Sequence, residues 1–91
     1  MNFVWNKEQF EVNLKKHHVS FDLAIYVFLD SDRVEIYDQK HSTATEDRYI
    51  TIGYMENVPL FVIYNIMDED CYRIISARKA LKTEGEKYYN Q

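Results

Sequence analysis

The stretch LFVIYNIMDEDCYRIISARKA, residues 60–80, decides how this chain folds. Its first part, LFVIYNIM, is apolar at nearly every position, which is typical of a strand that is buried on both faces. The acidic residues DED at 68–70 indicate a tight turn, and CYRIISA at 71–77 has the composition of a returning strand. The stretch therefore predicts a hairpin whose first strand lies at the centre of a sheet.

The residues that precede this hairpin extend the sheet. RVEIYD at 33–38 alternates apolar and polar residues, and RYITIGYM at 48–55 is rich in strand formers. The segments QKHSTATED at 39–47 and ENVP at 56–59 are polar and typical of turns. We therefore predict an antiparallel meander of about four strands.

The N-terminal part predicts a strand and a helix. NFVW at 2–5 indicates a short first strand, and Asn6 is a natural N-cap for a helix that ends near His17. Trp5 and Phe10 have the spacing of a hydrophobic staple across that N-cap. The first helix is thus predicted to start and end within the first 18 residues.

Two further helices complete the prediction. The segment VSFDLAIYVFL at 19–29 has helical spacing of its apolar residues and an N-cap candidate in Ser20. A last helix is predicted from Arg78 onward, with Gly85 as a weak point. We predict one α+β domain over residues 1–91, in which an N-terminal strand and two helices pack on the four-stranded meander and a C-terminal helix follows.

Composition bounds the class of protein. The chain has 91 residues, 46% hydrophobic residues and a formal net charge of -4, which is a globular composition. Its single cysteine fits a reducing compartment, and we expect a cytoplasmic protein without a signal peptide or membrane span. The charge is uneven, because both ends are basic and the middle is acidic, so a polyanion would bind at the ends.

Four segments carry a specific resemblance. FVWN at 3–6, LKKHHVSF at 14–21, HSTATEDRYITIG at 41–53 and the long segment at 62–89 that contains RIISARKA resemble, in order and spacing, the BrnT family. BrnT proteins are the toxin half of a bacterial type II toxin–antitoxin pair and have a RelE-like ribonuclease fold. This chain departs from the family in having His18 where the family has glycine, and in being more acidic.

The resemblance implies an mRNA interferase, a metal-independent endoribonuclease that inhibits translation. No cofactor is expected. The 2′-hydroxyl of the RNA would attack the adjacent phosphorus, and the protein would move protons and stabilise the charge on the phosphoryl oxygens. The implied partners are RNA, a BrnA-type antitoxin that neutralises the toxin, and operator DNA through the antitoxin only.

The cations of the last strand are the first site candidates. We expect Arg73 and Arg78 to be catalytic, by stabilising phosphate charge, and Lys79 to bind RNA. The helical spacing that follows predicts that Arg78 and Lys79 lie at the start of the last helix, where a cation is tolerated beside a bound anion or in water. The alternative is that all three are solvated surface charges.

The segment HSTATEDR supplies the second group of candidates. His41 and Glu46 are candidate catalytic residues for acid–base chemistry, and Arg48 is a candidate RNA contact. The alternative is a plain loop histidine next to a surface Glu46–Arg48 ion pair. Lys16 and Tyr88 are the remaining RNA-binding candidates, the latter either stacking on a base or packing within the last helix.

One alternative function stays open. A catalytically weak or inactive member would act as a binding module that completes an antitoxin–operator repressor complex, and the His18 departure and the acidic charge favour it. An active toxin stalls growth when it is expressed alone, whereas a binding module does not. No metal site is predicted, because adjacent histidines such as His17 and His18 rarely chelate one ion.

Overall fold

The structure, a computed structural model, describes all 91 residues. Its elements in chain order are β1 (Asn2–Trp5), α1 (Lys7–His17), α2 (Phe21–Ala24), a 3₁₀ helix (Ile25–Leu29), β2 (Val34–Tyr37), β3 (Tyr49–Met55), β4 (Val58–Asp68), β5 (Cys71–Lys79) and α3 (Lys82–Tyr89). The predicted α+β class is confirmed. No helix has the length and apolar character that crossing a membrane requires.

The strands form one mixed sheet in the order β1-β5-β4-β3-β2. Strands β2 to β5 are the predicted antiparallel meander, with the β4–β5 hairpin at its core. The first strand was expected to pack on this meander, and that expectation was wrong in detail. β1 lies within the sheet as a fifth strand, parallel to β5, with Asn2 opposite Cys71 and Trp5 opposite Ile74. This pairing satisfies backbone groups that a strand packed on the sheet would leave without partners.

A β-bulge in β5 determines which way its side chains point. Ile63 lies opposite Ser76 and Tyr64 lies opposite Ile74, so Ile75 is an extra residue in the register. Ile74 and Ala77 consequently both face the buried side of the sheet. Arg73 and Arg78 are five positions apart, and in a regular strand such residues would point to opposite faces of the sheet. Because of the bulge, both point to the face away from the buried core.

The core lies between the buried face of the sheet and the N-terminal helices. It contains nine buried residues, namely Val19, Phe21, Ala24, Val27, Leu60, Val62, Tyr64, Ile74 and Ala77. The predicted second helix is shorter than expected, because after one α-helical turn it tightens into the 3₁₀ helix. There the chain passes so close to β3 that a Cβ on Gly53 would lie 2.9 Å from Cβ of Arg33 and 3.1 Å from Cγ1 of Val27.

The last helix also begins later than predicted. β5 continues to Lys79, since Arg78 and Lys79 pair with Phe61 and Leu60 of β4, and α3 begins only at Lys82. Arg78 and Lys79 are therefore strand residues rather than residues of a helix N-terminus. Side chains of successive strand residues point to opposite faces of the sheet. Arg78 therefore points to the open face, the one away from the buried core, and Lys79 points to the other face.

Asn13 of α1 closes the exposed edge of β5. β1 covers this edge only as far as Ile74, and beyond it the Asn13 amide takes the place of a neighbouring strand. Its Nδ2 donates to the Ala77 carbonyl at 2.8 Å, and its Oδ1 accepts from the Ala77 N–H at 3.0 Å. Nδ2 also donates to the Val19 carbonyl at 3.0 Å. One buried side chain thus fastens α1 to the sheet.

Helix α1 begins as predicted and ends with strain. Oδ1 of Asn6 accepts from the Gln9 N–H at 3.0 Å, and the Trp5 and Phe10 rings stack with their centroids 6.0 Å apart. At the other end His18 has φ 59° and ψ 26°, a left-handed conformation. His18 therefore adopts the left-handed geometry that glycine takes most readily at the end of a helix, and accepts the cost of a Cβ there.

We expect His18→Gly to stabilise the protein by about 0.5–1 kcal/mol, because glycine removes the left-handed strain but is more flexible in the unfolded chain. Thermal or urea denaturation measures the change. The matched control is His18→Ala, which removes the imidazole and keeps the Cβ. Equal stabilisation by alanine would show that the imidazole, not the backbone conformation, is the unfavourable feature.

Candidate functional site

The loop between β2 and β3, residues 38–48, folds over the ends of β4 and β5 and forms an ionic network there. Nη2 of Arg73 donates to Oε1 of Glu46 at 2.6 Å, and Nε of Arg48 donates to Oε2 of the same carboxylate at 3.0 Å. Nη1 of Arg73 and both Nη atoms of Arg48 donate no hydrogen bond to the protein. Two guanidinium groups with unused donors therefore share one carboxylate.

Asn65 of β4 holds this network on the sheet. Its Oδ1 accepts from Nε of Arg73 at 3.2 Å and from Nη2 at 2.8 Å, while its Nδ2 donates to the Asp47 carbonyl at 2.7 Å. Asn65 is only 4% exposed, so both the arginine and the loop are fixed to a rigid strand. Sequence reasoning missed Asn65; the available signal was an amide inside an otherwise apolar strand.

A groove of about 600 Å³ opens beside this network, and we call it the arginine groove. Its residues are Thr43, Thr45, Glu46, Asp47, Asn65, Ile66, Met67 and Arg73. The loop contributes polar and acidic side chains to the lining, and β4 contributes the exposed apolar side chains of Ile66 and Met67. Arg73 is the cation of the groove, so its guanidinium and the apolar side chains together suit a nucleotide, which has a charged phosphate and a flat base.

His41 lies in the same loop and is oriented by a buried carboxylate. Its Nδ1 lies 2.9 Å from Oδ2 of Asp38, which is 6% exposed, whereas His41 itself is half exposed. The adjacent Ser42 hydroxyl donates to the Asp38 carbonyl at 2.6 Å and accepts from the Arg48 N–H at 2.9 Å. These bonds connect the histidine's turn to the end of the loop, where Arg48 precedes β3. Asp38 was also missed by sequence reasoning, although an acidic residue three positions before a loop histidine was visible.

Arg78 has a different environment from Arg73. Its Nη1 and Nη2 donate to the two carboxylate oxygens of Glu84 at 2.7 and 2.8 Å, and its guanidinium stacks on Phe61 at 4.0 Å from the ring centroid. The Leu81 N–H also donates to Glu84 at 2.7 Å. The hydrogen bonds with Glu84 raise the pKa of Arg78, and the same bonds lower the pKa of Glu84. This arginine therefore fastens α3 to the open face of the sheet.

We expect Glu84→Gln to destabilise the protein by about 1–2 kcal/mol at neutral pH, because a charge-assisted pair is lost. The pKa of Glu84 is lower in the folded chain than its ordinary 4.5, so the pair stabilises above that pH and loses its effect as the pH falls through the folded value. The melting temperatures of wild type and variant should thus converge in acid. Glu86→Gln, a change on the same helix, is the control; a difference that persists unchanged at low pH would contradict the assignment.

The remaining cationic candidates lie apart from the arginine groove. Lys79 lines a separate apolar pocket with Leu14 and Leu60. Lys16 and His17 line a polar pocket of about 480 Å³ between α1 and the Ser76 segment of β5. Partial burial lowers the pKa of His17, and the charges of Lys16 and Arg78 lower it further.

Tyr88 is held by the protein. Its hydroxyl donates to Oδ2 of Asp30 at 2.9 Å, and its ring packs edge-on against Tyr54 with centroids 5.2 Å apart. Partial burial and the Asp30 contact raise the pKa of Tyr88 to about 12. The same carboxylate oxygen accepts from the Tyr54 N–H at 2.9 Å. Tyr88 consequently ties α3 to β3 and to the end of the 3₁₀ helix.

Comparison with known proteins gives the family. The family model of BrnT, the ribonuclease toxin of type II toxin–antitoxin systems, matches residues 5–84. The crystal structure of the Brucella abortus ribonuclease toxin BrnT superimposes with a TM-score of 0.67 at 25% sequence identity, covering 90% of this chain and 99% of that one. No curated protein sequence matches. The match of the family model spans most of the chain, and the chain therefore belongs to the BrnT family of ribonuclease toxins of type II toxin–antitoxin systems.

Proposed function

We propose that this protein is an mRNA interferase, an endoribonuclease that cuts RNA at the arginine groove without a metal ion. The observation that carries the proposal is the pair Arg73 and Arg48, which share the Glu46 carboxylate and keep unused guanidinium donors. Donors preorganised on a rigid sheet stabilise a phosphate whose charge grows in the transition state. The family membership supports the ribonuclease class.

The proposed chemistry assigns a role to each group. Arg73 and Arg48 donate to the phosphoryl oxygens, and Glu46 orients the two guanidinium groups. The Nε2 lone pair of His41 takes the proton of the RNA 2′-hydroxyl as that oxygen bonds to phosphorus. The bond from phosphorus to the 5′-oxygen breaks, the 5′-oxygen takes a proton from water, and the imidazolium then returns its proton to solvent. The product is a 2′,3′-cyclic phosphate.

The remaining candidate residues are assigned to contacts with parts of the RNA other than the phosphate that is cleaved. Arg73 and Arg78 lie opposite Asn65 and Phe61, which are four residues apart on β4, so they are separated by about 13 Å along the sheet. Arg78, whose fork holds Glu84, is therefore proposed to act at a neighbouring phosphate rather than at the cleaved one. Lys16, Lys79 and Tyr88 are proposed as peripheral RNA contacts.

The proposed cellular role follows from the family. Cleavage of messenger RNA in the cytoplasm would stop translation until a BrnA-type antitoxin masks the cations, and operator DNA would be reached only through that antitoxin. The architecture, a twisted antiparallel meander with N-terminal helices on one face and α3 on the other, supports assignment to RelE-like ribonuclease folds.

The test is cleavage of a long single-stranded RNA by the purified chain in EDTA. We expect cleavage products that end in a 2′,3′-cyclic phosphate, and we expect a substrate with 2′-deoxy nucleotides at the cleavage site to resist. Cleavage of the deoxy substrate would overturn the 2′-hydroxyl mechanism, and loss of activity in EDTA would overturn metal independence. No cleavage, together with normal growth on expression, would favour the binding-module alternative.

A further inference from the structure

Asp38 is a buried carboxylate that pairs with one group. It is 6% exposed and lies at the end of β2, where its backbone N–H donates to the Arg48 carbonyl at 2.8 Å. Its Oδ2 contacts Nδ1 of His41 at 2.9 Å, and its Oδ1 accepts the His41 backbone N–H at 3.3 Å. It forms no ion pair with a lysine or an arginine.

This environment is costly for a purely structural residue. Removing a carboxylate from water is unfavourable unless a partner compensates, and a neutral asparagine would fill the same turn at a lower cost. The partner here is a half-exposed imidazole. A carboxylate at Nδ1 is compatible only with a proton on that nitrogen, so the other ring nitrogen, Nε2, carries the lone pair.

We propose that Asp38 is a positioning residue for the reaction, which holds His41 in the tautomer protonated at Nδ1 and presents Nε2 as the proton acceptor. When Nε2 takes the proton of the 2′-hydroxyl, the Asp38 carboxylate stabilises the resulting imidazolium. Asp38 itself keeps no proton and does not touch the RNA. This inference rests on the proposed function for its chemistry, but the tautomer is a property of the free protein.

The first experiment reads the tautomer directly. Under mildly alkaline conditions, ¹⁵N NMR of the His41 ring should show Nδ1 protonated and Nε2 unprotonated in the wild type. In Asp38→Asn, which keeps the volume, we expect a mixture or the opposite tautomer. Asp47→Asn is the matched control, since it removes a carboxylate from the same loop whose bond is to the Tyr37 hydroxyl rather than to His41. A wild-type His41 protonated at Nε2 would overturn the proposal.

The second experiment separates positioning from folding support. We expect Asp38→Asn to lower kcat for RNA cleavage by about 10²-fold with little change in KM. Because Asp38 acts through His41, adding Asp38→Asn to His41→Gln should cause no further loss. A lower kcat in the double variant than in His41→Gln alone would overturn the role. An Asp38→Asn variant in which only KM changes, as an increase, would overturn it too. If the wild type cuts no RNA, the proposed function fails, while the NMR result still decides the tautomer assignment.

Discussion

Arg73→Ala is expected to lower kcat/KM for RNA cleavage by about 10²–10³-fold, because it removes a preorganised guanidinium from the phosphoryl oxygens. Its effect exceeds that of losing a surface charge, since Arg73 is fixed by Glu46 and by buried Asn65 before the RNA arrives. The truncation also leaves Oδ1 of Asn65 unpaired, so cleavage must be measured well below the melting temperature of the variant. Single-turnover kinetics on a defined oligonucleotide measures kcat/KM for the wild type and the variant.

Two companion variants show whether geometry or charge is responsible. Arg73→Lys keeps the charge and loses the planar fork, and we expect it to recover only a small part of the activity. Lys82→Ala removes one positive charge from the exposed start of α3 and should be nearly neutral. Full activity in Arg73→Ala, or equal losses in Arg73→Ala and Lys82→Ala, would show that the arginine groove is not the site of cleavage.

Asn13→Ala is expected to destabilise the fold by about 3–5 kcal/mol, the largest stability effect of any single change discussed. The change removes three hydrogen bonds to main-chain groups, and leaves the N–H and carbonyl of Ala77 and the carbonyl of Val19 without their partner. In a domain of this size, that cost corresponds to a fall in melting temperature of about 12–40 °C. Thermal unfolding followed by circular dichroism measures it.

Gln9→Ala is the control for Asn13, because it removes an amide from the exposed side of the same helix. Its cost should stay within about 0.5 kcal/mol. A comparable loss in both variants would mean that helix propensity, not closure of the sheet edge, explains the effect of Asn13.

Local patterns predicted much of the fold, and long-range pairings escaped prediction. The meander follows from strand composition and turn residues, and the α1 N-cap and staple follow from short spacings that physical chemistry constrains strongly. The parallel partner of β1 could not be predicted, because an edge strand of four residues carries no signal for which strand it joins. The bulge at Ile75 is likewise set by packing rather than by a local motif.

The candidate site shows the same division. Arg73, Glu46, Arg48 and His41 were singled out from their residue types, and the structure brings the first three into direct contact and places the fourth in the same loop. Their catalytic and RNA-binding roles remain proposals. Asp38 and Asn65 were missed, since a residue that orients another is recognisable only once both are in place. Arg78 was misplaced at a helix start, because its pairing with Phe61 is invisible in the local sequence.

The parallel pairing of β1 with β5 has a consequence for the synthesis of the protein. Residues 2–5 find their strand partners only at residues 71–74, so a ribosome must deliver most of the chain before the first strand can dock. Arg73 emerges with the same segment, and it is also the residue that completes the arginine groove. A nascent chain therefore cannot assemble the first strand or the arginine groove until residues 71–74 have left the ribosome.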